Sequence, residues 1–92
     1  MITAIVMVHT AADRIPETAQ AIADLPGVSE VYSCAGDVDL IAVVKVREHD
    51  QLADVIAGRL SKIEGVRRTD THIAFRSYSR ADTEATFSAG LD

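Results

Sequence analysis

The stretch LPGVSEVYSCAGDVDLIAVVKV, residues 25–46, contains the features that decide the fold. It begins with Pro26–Gly27, a pair that ends helices, and continues with Val28–Ala35, whose composition is typical of a β-strand. Gly36–Asp37 then predicts a tight turn, because glycine and aspartate readily adopt the backbone angles of a hairpin. The apolar segment Val38–Val46 follows as a second strand. The stretch therefore predicts the end of a helix and a β-hairpin.

An internal repeat extends this hairpin to a whole domain. LPGV at 25–28 recurs as IEGV at 63–66, an offset of 38 positions, and each copy closes a helix and opens a strand. The predicted elements are a strand over 2–9, a helix over 15–23, strands over 28–35 and 38–46, a helix capped by Asp50 and ended by Gly65, and a strand over 66–78. Two tandem βαβ halves predict an α+β fold, the ferredoxin-like βαββαβ plait with a four-stranded antiparallel sheet. Right-handed crossovers place the first and third strands at its centre.

The two central strands are apolar on both faces, which has a consequence for assembly. Ile5 and Met7 lie on the face of the first strand opposite Ala4 and Val6, and the third strand repeats this pattern. Two helices cover only one face of a plait, so the second face needs another partner. The pattern therefore predicts an obligate homo-oligomer with a sheet-to-sheet interface.

Length and charge restrict the classes of function. Ninety-two residues make one domain, predicted over 1–78, with a C-terminal tail over 79–92. The formal net charge of −5 argues against direct binding of nucleic acid, which favours basic surfaces. No signal peptide and no apolar run of membrane-spanning length is visible, so a cytoplasmic location is expected.

The residues that most often carry chemistry show no motif for a metal or a cofactor. The three histidines, His9, His49 and His72, lack the spacing of metal ligands, so surface or capping roles are favoured. Cys34 is the one cysteine, which excludes an internal disulfide, and a buried apolar role is favoured for it over a nucleophilic one. We expect neither a metal nor a cofactor.

The sequence GDVD, residues 36–39, allows two interpretations. It is either a hairpin turn followed by an edge-facing carboxylate, or part of a site for a small molecule. In the second case the amides of Gly36 and Asp37 bind an anion and Asp39 binds an ammonium group. A free amino acid offers both groups at once. The polar triplet Thr69–Thr71 on the last strand is a further candidate.

The order of these features resembles the Lrp/AsnC ligand-binding domain, also called the RAM domain, over residues 2–77. The markers are Gly27–Val28, Gly36–Asp37 with Asp39, Gly65–Val66, and Thr69 with Thr71. The resemblance implies plaits that dimerise sheet to sheet, dimers that form octameric or decameric rings, and effectors, mostly amino acids, bound between dimers. The effector-binding residues that it implies are Ser33, Cys34, Ala35, Gly36, Asp37, Asp39, Thr69 and Thr71.

The resemblance also implies how such a chain acts. Full-length members carry a helix-turn-helix module that binds DNA, whereas this sequence starts at the first strand. We therefore expect a stand-alone, non-enzymatic domain that modulates transcription by assembling with a full-length regulator or competing against one. A small dimeric α+β barrel enzyme, using His72 with Asp39 as its partner, is the alternative. An amino-acid-binding domain of the ACT type, pairing edge to edge, is a third possibility.

Overall fold

The computed structural model describes residues 1–80 as one four-stranded antiparallel sheet with two helices on one face. The elements, in chain order, are β1 (Ile2–Thr10), α1 (Ile15–Ala23), β2 (Val28–Ser33), β3 (Leu40–Val46), α2 (His49–Ile56) and β4 (Val66–Ala74). Short 3-10 turns over Ala12–Arg14 and Leu60–Lys62 precede α1 and follow α2. The strand order β2-β3-β1-β4 confirms the predicted plait and its central strands. Most of the predicted tail, residues 81–92, lies outside the described residues.

The two glycines of the repeat occupy equivalent places in the two halves. Gly27 and Gly65 have φ angles of +94° and +99°, a region that side-chain-bearing residues rarely adopt. A Cβ at Gly27 would lie 3.0 Å from Val55 Cγ2 on α2, and one at Gly65 would overlap Thr18 Oγ1 on α1. Each glycine thus packs against the helix of the other half.

The core fills the space between the helices and one face of the sheet. It is aliphatic, as the composition requires, and its members are fully or almost fully buried. They are Ala4, Val6, Val8, Ile22, Leu40, Ala42, Val44, Val46, Leu52, Val55 and Leu60. Thr18 occupies a core position on α1, with 1% of its surface exposed, while Ala23 at the end of the same helix is exposed.

Several predicted boundaries of helices and strands were wrong. The cap of α2 is Glu48 rather than Asp50: the Glu48 side chain accepts the N–H of the third helical residue, Gln51, whose own side chain accepts the Glu48 N–H. Helix α2 ends at Ile56, and Leu60 belongs to a separate 3-10 turn. The turn between β2 and β3 is longer than predicted, and β4 ends at Ala74 rather than at residue 78.

Within residues 1–80, no helix covers the second face of the sheet, which we call the open sheet face. Cross-strand partners place Ile5 opposite Val43 and Met7 opposite Ile41 on this face. These four side chains are only partly buried, although each lies on a central strand. The expected apolar second face is therefore present.

Candidate functional site

The turn over residues 34–39 joins β2 to β3 and contains the GDVD sequence. The Cys34 N–H donates to the Asp39 carbonyl at 2.9 Å, and the Asp39 N–H donates to the Val8 carbonyl on β1 at 3.1 Å. These bonds close the turn and attach it to the end of the neighbouring strand. Within residues 1–80, the amide N–H groups at positions 35–38 donate no hydrogen bond. The turn therefore has a fixed base and a row of amide donors without a partner in that range.

Gly36 sits at the tip of this turn and makes it open. Its φ angle is +124°, and a Cβ added to it would meet no atom of the described residues within 4 Å. Its neighbours Ala35 and Asp37 are also exposed. The glycine is thus required by backbone conformation and not by crowding. Space for a ligand exists directly over the tip.

Asp39 has a structural role that sequence reasoning missed. Its Oδ2 accepts the backbone N–H of Thr10 at 2.9 Å, across 29 positions of sequence. The pairing of β1 with β4 is irregular between His9 and Thr10, and the carboxylate accepts the amide at this irregularity. The prediction that Asp39 lies within a strand was wrong, because β3 begins at Leu40. One of its oxygens ties β1 to the turn, and Oδ1 makes no hydrogen bond to the described residues.

The residues that precede the turn differ in exposure. Ser33 ends β2 and is exposed. Cys34 is partly buried, and its thiol donates to the Tyr32 carbonyl at 3.7 Å. The burial predicted for Cys34 is therefore only partial.

Thr69 and Thr71 lie on the other side of β1 from the turn. They pair with Val8 and Val6 on β1, so that β1 separates them from β3. Two strand spacings amount to about 10 Å between the backbones. Within residues 1–80, no hydrogen bond joins the predicted threonines to the predicted turn.

The pair that the enzyme alternative needs is absent from residues 1–80. His72 lies opposite Ile5 on the open sheet face, and its Nε2 is 3.6 Å from the Asp70 carboxylate, not from Asp39. Within the same range, no three His, Cys, Asp or Glu side chains come together as a metal site would require. No helix in that range has the length and apolar character needed to span a membrane.

Two polar groups beside the turn were not anticipated. Thr10 is 8% exposed, and its Oγ1 has no hydrogen-bond partner among the described residues. The Nδ1 of the adjacent His9 is likewise buried without a partner in that range. The sequence does contain a signal for them, because the otherwise apolar strand β1 ends in two polar residues, His9 and Thr10. The contact between the Asp39 carboxylate and Thr10 becomes evident only once the strands are paired.

Comparison with known proteins identifies the domain. The family model of the Lrp/AsnC ligand binding domain matches residues 3–83. The transcriptional regulator LrpA of Pyrococcus horikoshii is 33% identical over 61 residues, which are 66% of this chain and 43% of the regulator. The chain thus spans less than half the length of that curated relative.

Solved structures show the same architecture. TTHA0845 of Thermus thermophilus is 44% identical, with a TM-score of 0.81 over 87% of this chain and 100% of that one. The regulator NMB0573 of Neisseria meningitidis, solved as a complex with L-Met, has a TM-score of 0.76 at 15% identity, over 86% of this chain and 53% of that one. The plait, the GDVD turn and the family match together place this chain in the Lrp/AsnC ligand-binding domain family.

Proposed function

We propose that this domain binds a small effector, an amino acid, at contacts between dimers, and that it modulates transcription indirectly. The observation that carries the proposal is the open turn at Gly36–Asp37, whose base is fixed by three hydrogen bonds to and from Asp39. A fixed turn with unused donors costs little reorganisation when a ligand binds. The family match and the L-Met complex of the Neisseria regulator support an amino acid as the ligand class.

The chemistry of the turn suits a zwitterion. The amides at positions 35–38, which have no acceptor in residues 1–80, are donors for a carboxylate. The carboxylates of Asp37 and Asp39 are acceptors for an ammonium group, and both belong to the same short turn. A ligand with only one of the two charged groups would use half of these contacts. We therefore expect amino acids to bind more tightly than simple amines or simple carboxylates.

The exposure of the turn favours a site between chains. Specific small-molecule sites bury most of the ligand surface, about 70–90%. No atom of residues 1–80 lies within 4 Å of a Cβ built at Gly36, so that part of the chain does not enclose a ligand at this tip. A second dimer placed against the turn would enclose it. Thr69 and Thr71 of a neighbouring copy are the residues that we expect to complete the site.

The open sheet face supports the dimer from which such an assembly would be built. Ile5, Met7, Ile41 and Val43 form a contiguous apolar patch on the central strands. Covering this patch with a second copy removes it from water, which stabilises a face-to-face dimer. Effector bound between dimers is then linked to assembly by mass action. A domain of this kind would act on transcription by joining a full-length regulator or competing against it.

Sedimentation velocity with each of the twenty amino acids is the direct test. We expect one or a few of them to shift the distribution between dimers and larger rings. Calorimetric titration of Asp37→Ala with the same ligand should show affinity about fivefold weaker, since an exposed charge contact is worth about 1 kcal/mol. Asp50→Ala, an exposed acidic residue in the first turn of α2 at the other end of the sheet, is the matched control and should bind as the unaltered chain does.

Two outcomes would contradict the proposal. One is a size distribution that does not respond to any of the twenty amino acids. The other is an effector whose affinity falls equally in Asp37→Ala and Asp50→Ala, because the effect would then be one of net charge rather than of contact with the turn.

A further inference from the structure

A cleft of about 350 Å³ lies at the end of the sheet opposite the β2–β3 turn. It is formed where β3 ends, where the connection from α1 to β2 passes, and along one side of α2. Its lining residues are Met1, Pro26, Gly27, Lys45, Val46, Arg47, Gln51, Asp54, Val55 and Arg59. The length of β3 separates it from the turn by about 20 Å, so the two places cannot share one small ligand.

The cleft is positive although the chain is acidic. Arg47 and Arg59 line it against one carboxylate, Asp54, which leaves a formal charge of +1, while the whole chain carries −5. Lys45 borders the cleft with its backbone, because its side chain alternates to the open sheet face with Ile41 and Val43. Neither arginine forms an ion pair with any residue of the described range 1–80. Two unpaired cations beside one concave surface attract anions and are not needed to neutralise the protein's own acids.

The donor groups of the cleft are held in place before any ligand arrives. The Oε1 atom of Gln51 accepts the N–H groups of Arg47 and Glu48 at 3.0 and 2.9 Å. This fixes the side-chain amide and leaves its Nε2 as a donor without a partner among the described residues. The Lys45 N–H donates to the Gly27 carbonyl at 2.8 Å, which holds the two backbone walls together.

The remaining wall is apolar and closely packed. Gly27 lies so near Val55 that an added Cβ would be 3.0 Å from Cγ2 and 3.4 Å from Val46 Cγ1. Pro26 adds a further apolar surface. A closed apolar wall opposite charged donors suits a ligand with a carbon skeleton and an anionic group.

We propose that this cleft is a second ligand site, separate from the effector site, and that it binds a small organic oxyanion. Arg47 and Arg59 bind the carboxylate or phosphate group of the ligand, and the Gln51 amide donates to it. The carbon skeleton lies against Val46, Val55 and Pro26. This site does not depend on the effector function of the GDVD turn.

The test is calorimetric titration of the full chain with succinate, glycerol 3-phosphate and inorganic phosphate, with neutral glycerol as the comparison ligand. We expect saturable binding of at least one organic anion, and none of glycerol. Binding by succinate alone or by glycerol 3-phosphate alone distinguishes a carboxylate site from a phosphate site. Stronger binding of an organic anion than of inorganic phosphate supports the role of the apolar wall.

A pair of variants with equal charge change locates the site. The double variant Arg47→Gln/Arg59→Gln should bind about tenfold more weakly. The variant Arg67→Gln/Arg68→Gln alters two exposed cations at the start of β4 and should bind within about twofold of the unaltered chain. Far-UV circular dichroism checks that each variant is folded. Absence of saturable binding to every anion, or equal weakening in both double variants, would overturn the proposal.

Discussion

Replacement of Asp39 by alanine tests whether this carboxylate holds the turn to β1. The change removes the acceptor of the Thr10 N–H, a 2.9 Å hydrogen bond in a residue that is 8% exposed. Losing a hydrogen bond to a charged acceptor and leaving a nearly buried amide without a partner costs about 2 kcal/mol. For a domain of this size, that loss lowers the melting temperature by about 10 °C.

Two further variants separate the hydrogen bond from the charge. Asp39→Asn keeps an oxygen acceptor but loses its charge, so we expect its free energy of unfolding to fall by about 1 kcal/mol. Asp37→Ala removes an exposed carboxylate without a hydrogen bond in residues 1–80 and should change stability by less than about 0.5 kcal/mol.

Urea denaturation followed by far-UV circular dichroism measures these differences. All variants are compared at one protein concentration, because association contributes to apparent stability. The reasoning is refuted if Asp39→Ala loses no more stability than Asp37→Ala. In that case, any effect of Asp39 on effector binding would reflect direct contact with the ligand.

Three other substitutions address packing, ionisation and assembly. Gly65→Ala should lower the free energy of unfolding by about 3 kcal/mol, because alanine would have to adopt a positive φ and its Cβ would overlap Thr18 Oγ1. Adding Thr18→Ala to this variant removes the overlap and should restore part of the loss, as measured by urea denaturation. The pKa of Tyr32 is raised above 10.0 by its hydrogen bond to Glu30, then by the Glu30 charge and by burial. The raised pKa stabilises the folded chain. This stabilisation is complete below the pKa that Tyr32 has in the unfolded chain, and it is lost as the pH rises through its pKa in the folded chain. Absorbance titration should show a lower Tyr32 pKa in Glu30→Gln, and an unchanged value would remove Glu30 as the cause. Val43→Asp places a charge on the open sheet face and should weaken the proposed dimer about hundredfold in sedimentation equilibrium; an intact dimer would exclude this face as the interface.

The fold was predictable because the decisive information is local and repeated. Gly27 and Gly65 mark equivalent turns, and their positive φ angles are a requirement that the sequence displays directly. The apolar faces of β1 and β3 follow from alternation alone. The cap of α2 was missed because Glu48 is an uncommon N-cap, and its role depends on reciprocal bonds with Gln51.

The site was only partly predictable because its contacts join distant segments. The GDVD turn is visible in the sequence, but the bond from Thr10 to Asp39 forms only when β1 and β3 are paired. The cationic cleft was missed for the same reason. Arg47 and Arg59 meet Pro26 only after α2 has folded back over the end of the sheet.

The reciprocal contacts of the two glycines bear on how the chain can fold at all. Gly27 rests on Val55 and Gly65 on Thr18, so each βαβ half completes its packing only against the other. Neither half presents a finished surface alone, and native structure should therefore be gained and lost in one cooperative step. A chain severed in the turn at Gly36 would yield two fragments, each disordered in isolation, that restore the sheet by binding one another.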